Sequence, residues 1–187
     1  MWNIRHFSFP NIIQQHSFSG GGEYWISRKP FLDENTATVQ GKPTLVSRGI
    51  FNGYSLPIWN AGGNVNEELH YRLRVPHRWN GVTAPSFYAI SSLSVGEIVD
   101  SRYRFQVEWA SKDVEHVIPD TASGVITCEV ICSTGKNAAY YAQILAFEAN
   151  PATMVSGQNI QLRVRRIAAT ADEVANEIII YHWDTRW

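Results

Sequence analysis

The chain has 187 residues, 44% hydrophobic and 12% aromatic, long enough for one domain with a substantial core or a domain with an arm. Only 18% are charged, below the usual quarter, which points to an outside that is polar without charge or is covered by other subunits. The net charge of -1 and pI near 6.6 lack the basic excess of general nucleic-acid or membrane-surface binders, and no apolar run is long enough to span a bilayer.

Met1 to His6 has no apolar secretion region, so the sequence predicts synthesis and use without a secretion signal. Residues 1–64 read as an extended N-terminal arm lying on its own domain or on a neighbouring subunit, with additional strands of the same domain as the other reading. Gly20-Gly21-Gly22 interrupts any regular element. Glu23–Ser27 and Leu45–Phe51 read as short strands, Lys29-Pro30 and Lys42-Pro43 as loops. The stretch is too apolar for a disordered tail, since it carries Trp2, Phe7, Phe9, Phe18, Tyr24, Trp25, Phe31 and Phe51.

From residue 65 the pattern is that of a β-domain running to residue 187. Leu69, Tyr71, Leu73 and Val75 alternate with His70, Arg72 and Arg74, and Pro76 ends that strand. Phe87–Leu93 is a strand, and Val95–Asp100 a connection. In Ser101–Trp109, Tyr103, Phe105, Val107 and Trp109 fall on one side, and Arg102, Arg104, Gln106 and Glu108 on the other. Val125–Cys132 follows a polar loop and leads into a hairpin turn at Ser133–Asn137. Tyr140–Glu148 is apolar on both faces and reads as a central or covered strand. Ile160, Leu162 and Val164 alternate with Gln161, Arg163 and Arg165. The last strand, Glu177–Trp183, sets Ile178, Ile180 and His182 opposite Ile179, Tyr181 and Trp183. Seven or eight strands without an amphipathic helix predict an all-β fold. The long connections favour a jelly-roll-like antiparallel β-sandwich over simple hairpins.

No constellation carries a strong catalytic signature, and the sequence predicts no enzyme, no catalytic residue, no cofactor and no metal. Asp113, Glu115, His116 and Asp120 share a loop, but nothing fixes ligand geometry and a solvated loop is the favoured reading. A metal site from His70, His77 and His182 needs them inside the barrel, whereas His70 alternates with the apolar face and is expected outward. Cys128 and Cys132 share a strand face about 13 Å apart, too far for a disulfide, and read as buried thiols. Arg72, Arg74, Arg102, Arg104, Arg163, Arg165 and Arg166 mostly fall on outward faces, where a guanidinium suits a partner's carboxylates or simply solvates a strand. Trp2, Trp25, Trp59 and Trp79, in irregular stretches, read as interface or sugar-stacking candidates; Trp109 and Trp183 read as core.

Val75-Pro76-His77-Arg78-Trp79-Asn80, the Tyr103–Trp109 strand, and Asn159–Ala169 followed by Ile178–Trp183 resemble a group of small virion proteins from tailed bacteriophages and environmental viruses. The resemblance covers roughly residues 65–187, without a unique motif, and leaves out residues 1–64. It implies a jelly-roll virion protein of the capsid cement (decoration) type, located at the capsid surface after synthesis in the host cytoplasm. The implied partners are the major capsid protein and two further copies in a homotrimer, with no nucleic acid and no membrane. The alternative is a tail or tail-fibre module that binds a carbohydrate or receptor. Trp2, Phe7, Phe9, Trp25, Arg72, Arg74, Arg102 and Arg104 are the expected partner-interface residues.

Overall fold

A computed structural model describes residues 25–28, 43–48, 51–58, 67–112 and 121–187. Ten strands follow in order: β1 Trp25–Arg28, β2 Thr44–Arg48, β3 Phe51–Leu56, β4 Leu69–Arg74, β5 Ser86–Leu93, β6 Arg102–Lys112, β7 Gly124–Ile131, β8 Gln143–Glu148, β9 Asn159–Ile167 and β10 Ile178–Arg186. The described residues contain no α-helix, only a 3-10 turn at Pro151–Thr153, capped by the Asn150 side chain accepting from the Ala152 N–H. No helix among them is long and apolar enough to cross a membrane.

All strand pairs are antiparallel. The first sheet runs β2-β3-β10-β5-β8, with β1 added on β10, and the second runs β4-β9-β6-β7. From β3 onward every connection except β6–β7 passes from one sheet to the other. The orders β3-β10-β5-β8 and β4-β9-β6-β7 are those of an eight-stranded jelly roll, two Greek keys closed face to face. β1, β2 and β3 fall within residues 1–64 and hydrogen-bond into the first sheet, where Leu56 is fully buried. Trp2, Phe7 and Phe9 lie outside the described residues.

Period-two alternation builds the core. Leu69, Tyr71 and Leu73 of β4, Tyr103, Phe105, Val107 and Trp109 of β6, and Ile160, Leu162 and Val164 of β9 all turn inward from the second sheet. The first sheet answers with Phe87, Ala89, Leu145, Phe147, Ile178, Ile180 and Trp183. Trp183 is fully buried and lies at the centre. Its indole stacks on Tyr71 at 4.9 Å between centroids and on Phe87 and Phe147 at 6.0 Å each. Burial pushes the Tyr71 hydroxyl far above the ordinary tyrosine range, so that side chain stays neutral at any physiological pH.

Four expectations from the sequence are corrected. β8 is an edge strand, not a central one: Leu145 and Phe147 face the core while Ile144, 68% exposed, faces out. An apolar residue on the outward side imitates a second buried face when only the sequence is read. In β10, a β-bulge between Ile180 and His182 shifts the alternation. Trp183 therefore joins Ile178 and Ile180 inside, and His182 moves to the outer face. Trp79 is buried, edge-on to Trp187 at 5.9 Å, with its indole N–H donated to the Thr83 carbonyl. Arg166 is 1% exposed, because loop carbonyls and Glu173 close around it.

Gly124 opens β7 under the Trp109 indole, and a Cβ there would overlap the ring. Trp109 is itself held by its N–H to Thr153 Oγ1 at 3.1 Å and by an edge contact to Phe87. Gly124→Ala is expected to lower stability by about 1–3 kcal/mol, the usual cost of overpacking, read as a lower urea midpoint with unchanged slope.

Candidate interaction surfaces

The outer face of the second sheet carries most of the outward arginines. Arg72 and Arg74 sit on β4, Arg102 and Arg104 on β6, and Arg163 and Arg165 on β9, against Glu68, Glu108 and Glu129. The sheet does not bring the four predicted arginines together. Arg72 lies level with Gln161 and Ala110, whereas Arg104 lies level with Ile167. At about 3.3 Å per residue the two pairs stand roughly 20 Å apart along the strands. Arg102 pairs with Glu129 at 3.3 Å, Arg104 donates to Thr127 Oγ1 at 3.0 Å, and Arg74 donates through Nε to the Gly157 carbonyl at 2.8 Å. Trp25, the fifth predicted residue within the described set, opens β1 opposite Arg186.

Between the two arginine pairs lies a carboxylate-centred network. Glu108 accepts from Arg163, Arg165 and Gln106, and Glu68 lies 3.6 Å from Arg163 and 3.4 Å from His70. His70 keeps the outward side expected of it, opposite Arg163, yet is only 4% exposed because Glu68 and Gln161 crowd its ring. Desolvation pulls the Arg165 guanidinium below the ordinary arginine range, with Glu108 opposing the shift. His77 stands apart, packed against Gly157 in a different loop, so the three histidines do not converge. Among the described residues no group of three or more His, Cys, Asp or Glu is placed to hold a metal ion. The loop with Asp113, Glu115, His116 and Asp120 lies outside them. Cys128 and Cys132 are free, and burial raises both thiols above the ordinary range, as expected of packed rather than reactive cysteines.

The outer face of the first sheet holds a shallow groove of about 320 Å³ lined by Tyr88, Ala89, Ile90, Ile144, His182 and Asp184. The register explains it: Tyr88 stands opposite Asp184 and Ala146, and Ile90 opposite His182 and Ile144. His182 Nε2 lies 3.0 Å from Asp184 Oδ1, a polar pair on an otherwise apolar lining.

A third surface is the end of the sandwich built by residues 94–101, 132–142 and 168–177. The Glu97 N–H donates to the Asn137 carbonyl and the Asn137 side chain donates back to the Glu97 carbonyl. Asp100 N–H bonds to the Cys132 carbonyl, Tyr140 N–H to Leu93, and both Asn176 donors to Glu97 Oε1. The third segment is pinned further by buried Arg166, which donates to the Asn176 carbonyl at 2.5 Å and to Glu173 at 2.6 Å, and by Glu129, which accepts twice from Thr170. On this fixed frame Val95, Ile98, Val99, Ile131, Tyr140 and Tyr141 are exposed, Ile98 at 74%. The Arg48 guanidinium covers the Tyr140 ring at 3.6 Å. In the sequence Val95–Asp100 reads as a mere connection; its signal is a loop richer in branched aliphatics than a solvated loop needs.

No family model matches the chain, and no curated protein matches it. Among solved structures, tripeptidyl peptidase 2 is similar over 79% of this chain and 10% of that chain, at 12% identity and a TM-score of 0.34. This chain thus spans a small fraction of that protein's length, and a likeness at that level carries no argument.

Two measurements probe these surfaces. Glu108→Gln leaves two guanidinium groups facing a neutral amide and is expected to cost about 2 kcal/mol of unfolding free energy, with the loss shrinking when Arg163 and Arg165 are replaced as well. Glu67 is raised from 4.5 to about 7 by burial, with Glu177 adding to the shift. A carboxyl with a higher pKa in the folded chain favours folding while protonated. That contribution is whole below about pH 4.5 and is lost as pH rises through about 7. Glu67→Gln is therefore expected to raise the melting temperature at pH 8 and to leave it nearly unchanged at pH 4, as followed by calorimetry.

Proposed function

We propose that this chain is a structural, non-enzymatic virion protein, a capsid cement (decoration) subunit that binds the assembled shell of a tailed bacteriophage or related virus as a homotrimer. The reading is supported by the resemblance over residues 65–187 and by the jelly-roll strand order, a fold that hosts viral capsid and lectin domains among others. The observation that carries it is that apolar side chains are exposed on ordered backbone at two separated places. Ile90 and Ile144 flank the groove of the first sheet, and Val95, Ile98, Val99, Tyr140 and Tyr141 crown the loop end. A subunit that ties neighbours together needs more than one such surface, and several modest contacts joined in one assembly bind with avidity. In this reading the groove faces the major capsid protein, and the shell gains stability because the lattice is bound and its free subunits are not.

A second reading has one specific observation behind it. Tyr88 beside the His182–Asp184 pair combines an aromatic ring with polar groups, the elements of a sugar subsite on a tail or tail fibre.

The deciding experiment co-expresses the full chain with the capsid protein of its own genome and sediments the shells. The expected outcome is saturable binding to shells, none to free capsid subunits, and a higher shell melting temperature. Ile144→Asp is expected to weaken binding at least about tenfold, or about 1.4 kcal/mol. Failure to bind shells, with retention on a glycan array that Asp184→Asn abolishes, would replace the cement reading with the second one.

A further inference from the structure

The outer face of the first sheet leaves apolar side chains bare beside the place where the chain enters that sheet. Ile144 is 68% and Ile90 40% exposed along the groove. β1 joins the edge of β10 with Trp25 opposite Arg186, so the 24 residues ahead of β1 start level with Ser86 at the beginning of β5. After the bulge, His182, Asp184 and Arg186 alternate with buried Trp183 and Thr185, and so share the outward face with Tyr88. Asp184 is two residues from Arg186 and His182 is four, which puts the groove about 7–13 Å along β10 from that entry point. Tyr88, His182 and Arg186 are each engaged by an interaction other than those described above.

We propose that residues 1–18 of the same chain turn back into this groove and cover it in the free subunit. Three features point to this segment as the occupant. Its composition fits the lining: Trp2, Ile4, Phe7, Phe9, Ile12 and Ile13 supply apolar and aromatic surface for Ile90, Ile144 and Tyr88. It contains no Asp or Glu, so it brings no carboxylate against Asp184, and Arg5 offers that group an opposite charge. Its reach suffices, since 18 extended residues span about 60 Å, and Gly20-Gly21-Gly22 lets the chain reverse just before β1. Its attachment decides between occupants. A segment tethered within a few residues of the groove acts at an effective concentration near the millimolar range, which a second copy or a free peptide does not reach. Where the capsid protein also takes this groove it displaces the segment, so the free subunit keeps its apolar face covered until a shell is present.

This inference rests on the groove and on where the chain enters the sheet, not on the capsid reading, and its test needs no capsid. A photo-crosslinking residue, p-benzoylphenylalanine, replaces Phe7 in one full chain and Phe9 in another. Each is irradiated after mixing with an equal amount of isotopically heavy chain, and the crosslinked peptides are identified by mass spectrometry. The expected result is crosslinks to the peptides holding Tyr88–Ile90 or Ile144, all within a single chain and free of light–heavy hybrids. Ile144→Asp, at an exposed position, is expected to reduce those crosslinks at least fivefold. The milder Ile144→Ser, checked for an unchanged melting temperature, is expected to reduce them in the same direction. Groove crosslinks that are light–heavy hybrids would make a second copy the occupant and overturn the proposal. Crosslinks that avoid the groove peptides, or that neither Ile144 variant reduces, would overturn it as well. A chain without groove crosslinks that still sediments with shells would overturn this contact while leaving the capsid partner standing.

Discussion

Trp183 is the group on which the two sheets agree. It comes from the first sheet and stacks on Tyr71 of the second, with Phe87 and Phe147 of its own sheet on its other sides. Replacing so large a buried ring by alanine typically costs about 3–5 kcal/mol, a large share of a domain's stability. Its strand, β10, is also the most widely paired, meeting β5 along one edge and β3 and then β1 along the other. The core and the hydrogen-bond ladder of the first sheet thus depend on one short segment.

The same segment sets the outer surface. The bulge at Ile180–His182 lets Trp183 face inward without breaking the ladder to β5, and it sends His182 and Asp184 outward beside Tyr88. Core packing and the groove are therefore two results of one irregularity. At the loop end, buried Arg166 does comparable work. Desolvation lowers its affinity for a proton, Glu173 offsets that, and the Asn176 and Val174 carbonyls accept from its terminal nitrogens. The chain between β9 and β10 is held to that cation, and the exposed aliphatics of the neighbouring segments keep fixed positions as a result.

Much of the architecture was legible because it rests on local alternation. Tyr103 to Trp109, Leu69 to Val75 and Ile160 to Val164 show one buried face each, and all three form strands with that face inward. What local alternation does not encode was missed. The bulge in β10 depends on fitting Trp183 against Tyr71, a residue more than a hundred positions away. The edge position of β8 depends on strand order, and Ile144 looks the same in sequence whether covered or bare. The surfaces were legible only in part. Outward arginines could be listed, but that Arg72 and Arg104 lie far apart follows from register. The burial of Arg166 follows from loop carbonyls that no side-chain pattern announces.

The placement of β10 between β3 and β5 also bears on how the chain acquires its fold. Its partners are synthesised long before it, so the facing edges of β3 and β5 stand open, with unpaired N–H and C=O groups, until residues 178–186 exist. A jelly roll of this order closes through contacts between distant parts of the chain, which makes folding slow. The half-made first sheet is the species most exposed to misassembly with other chains. Docking of β10 is the step that ends this exposure, since it covers the facing edges of β3 and β5 at once.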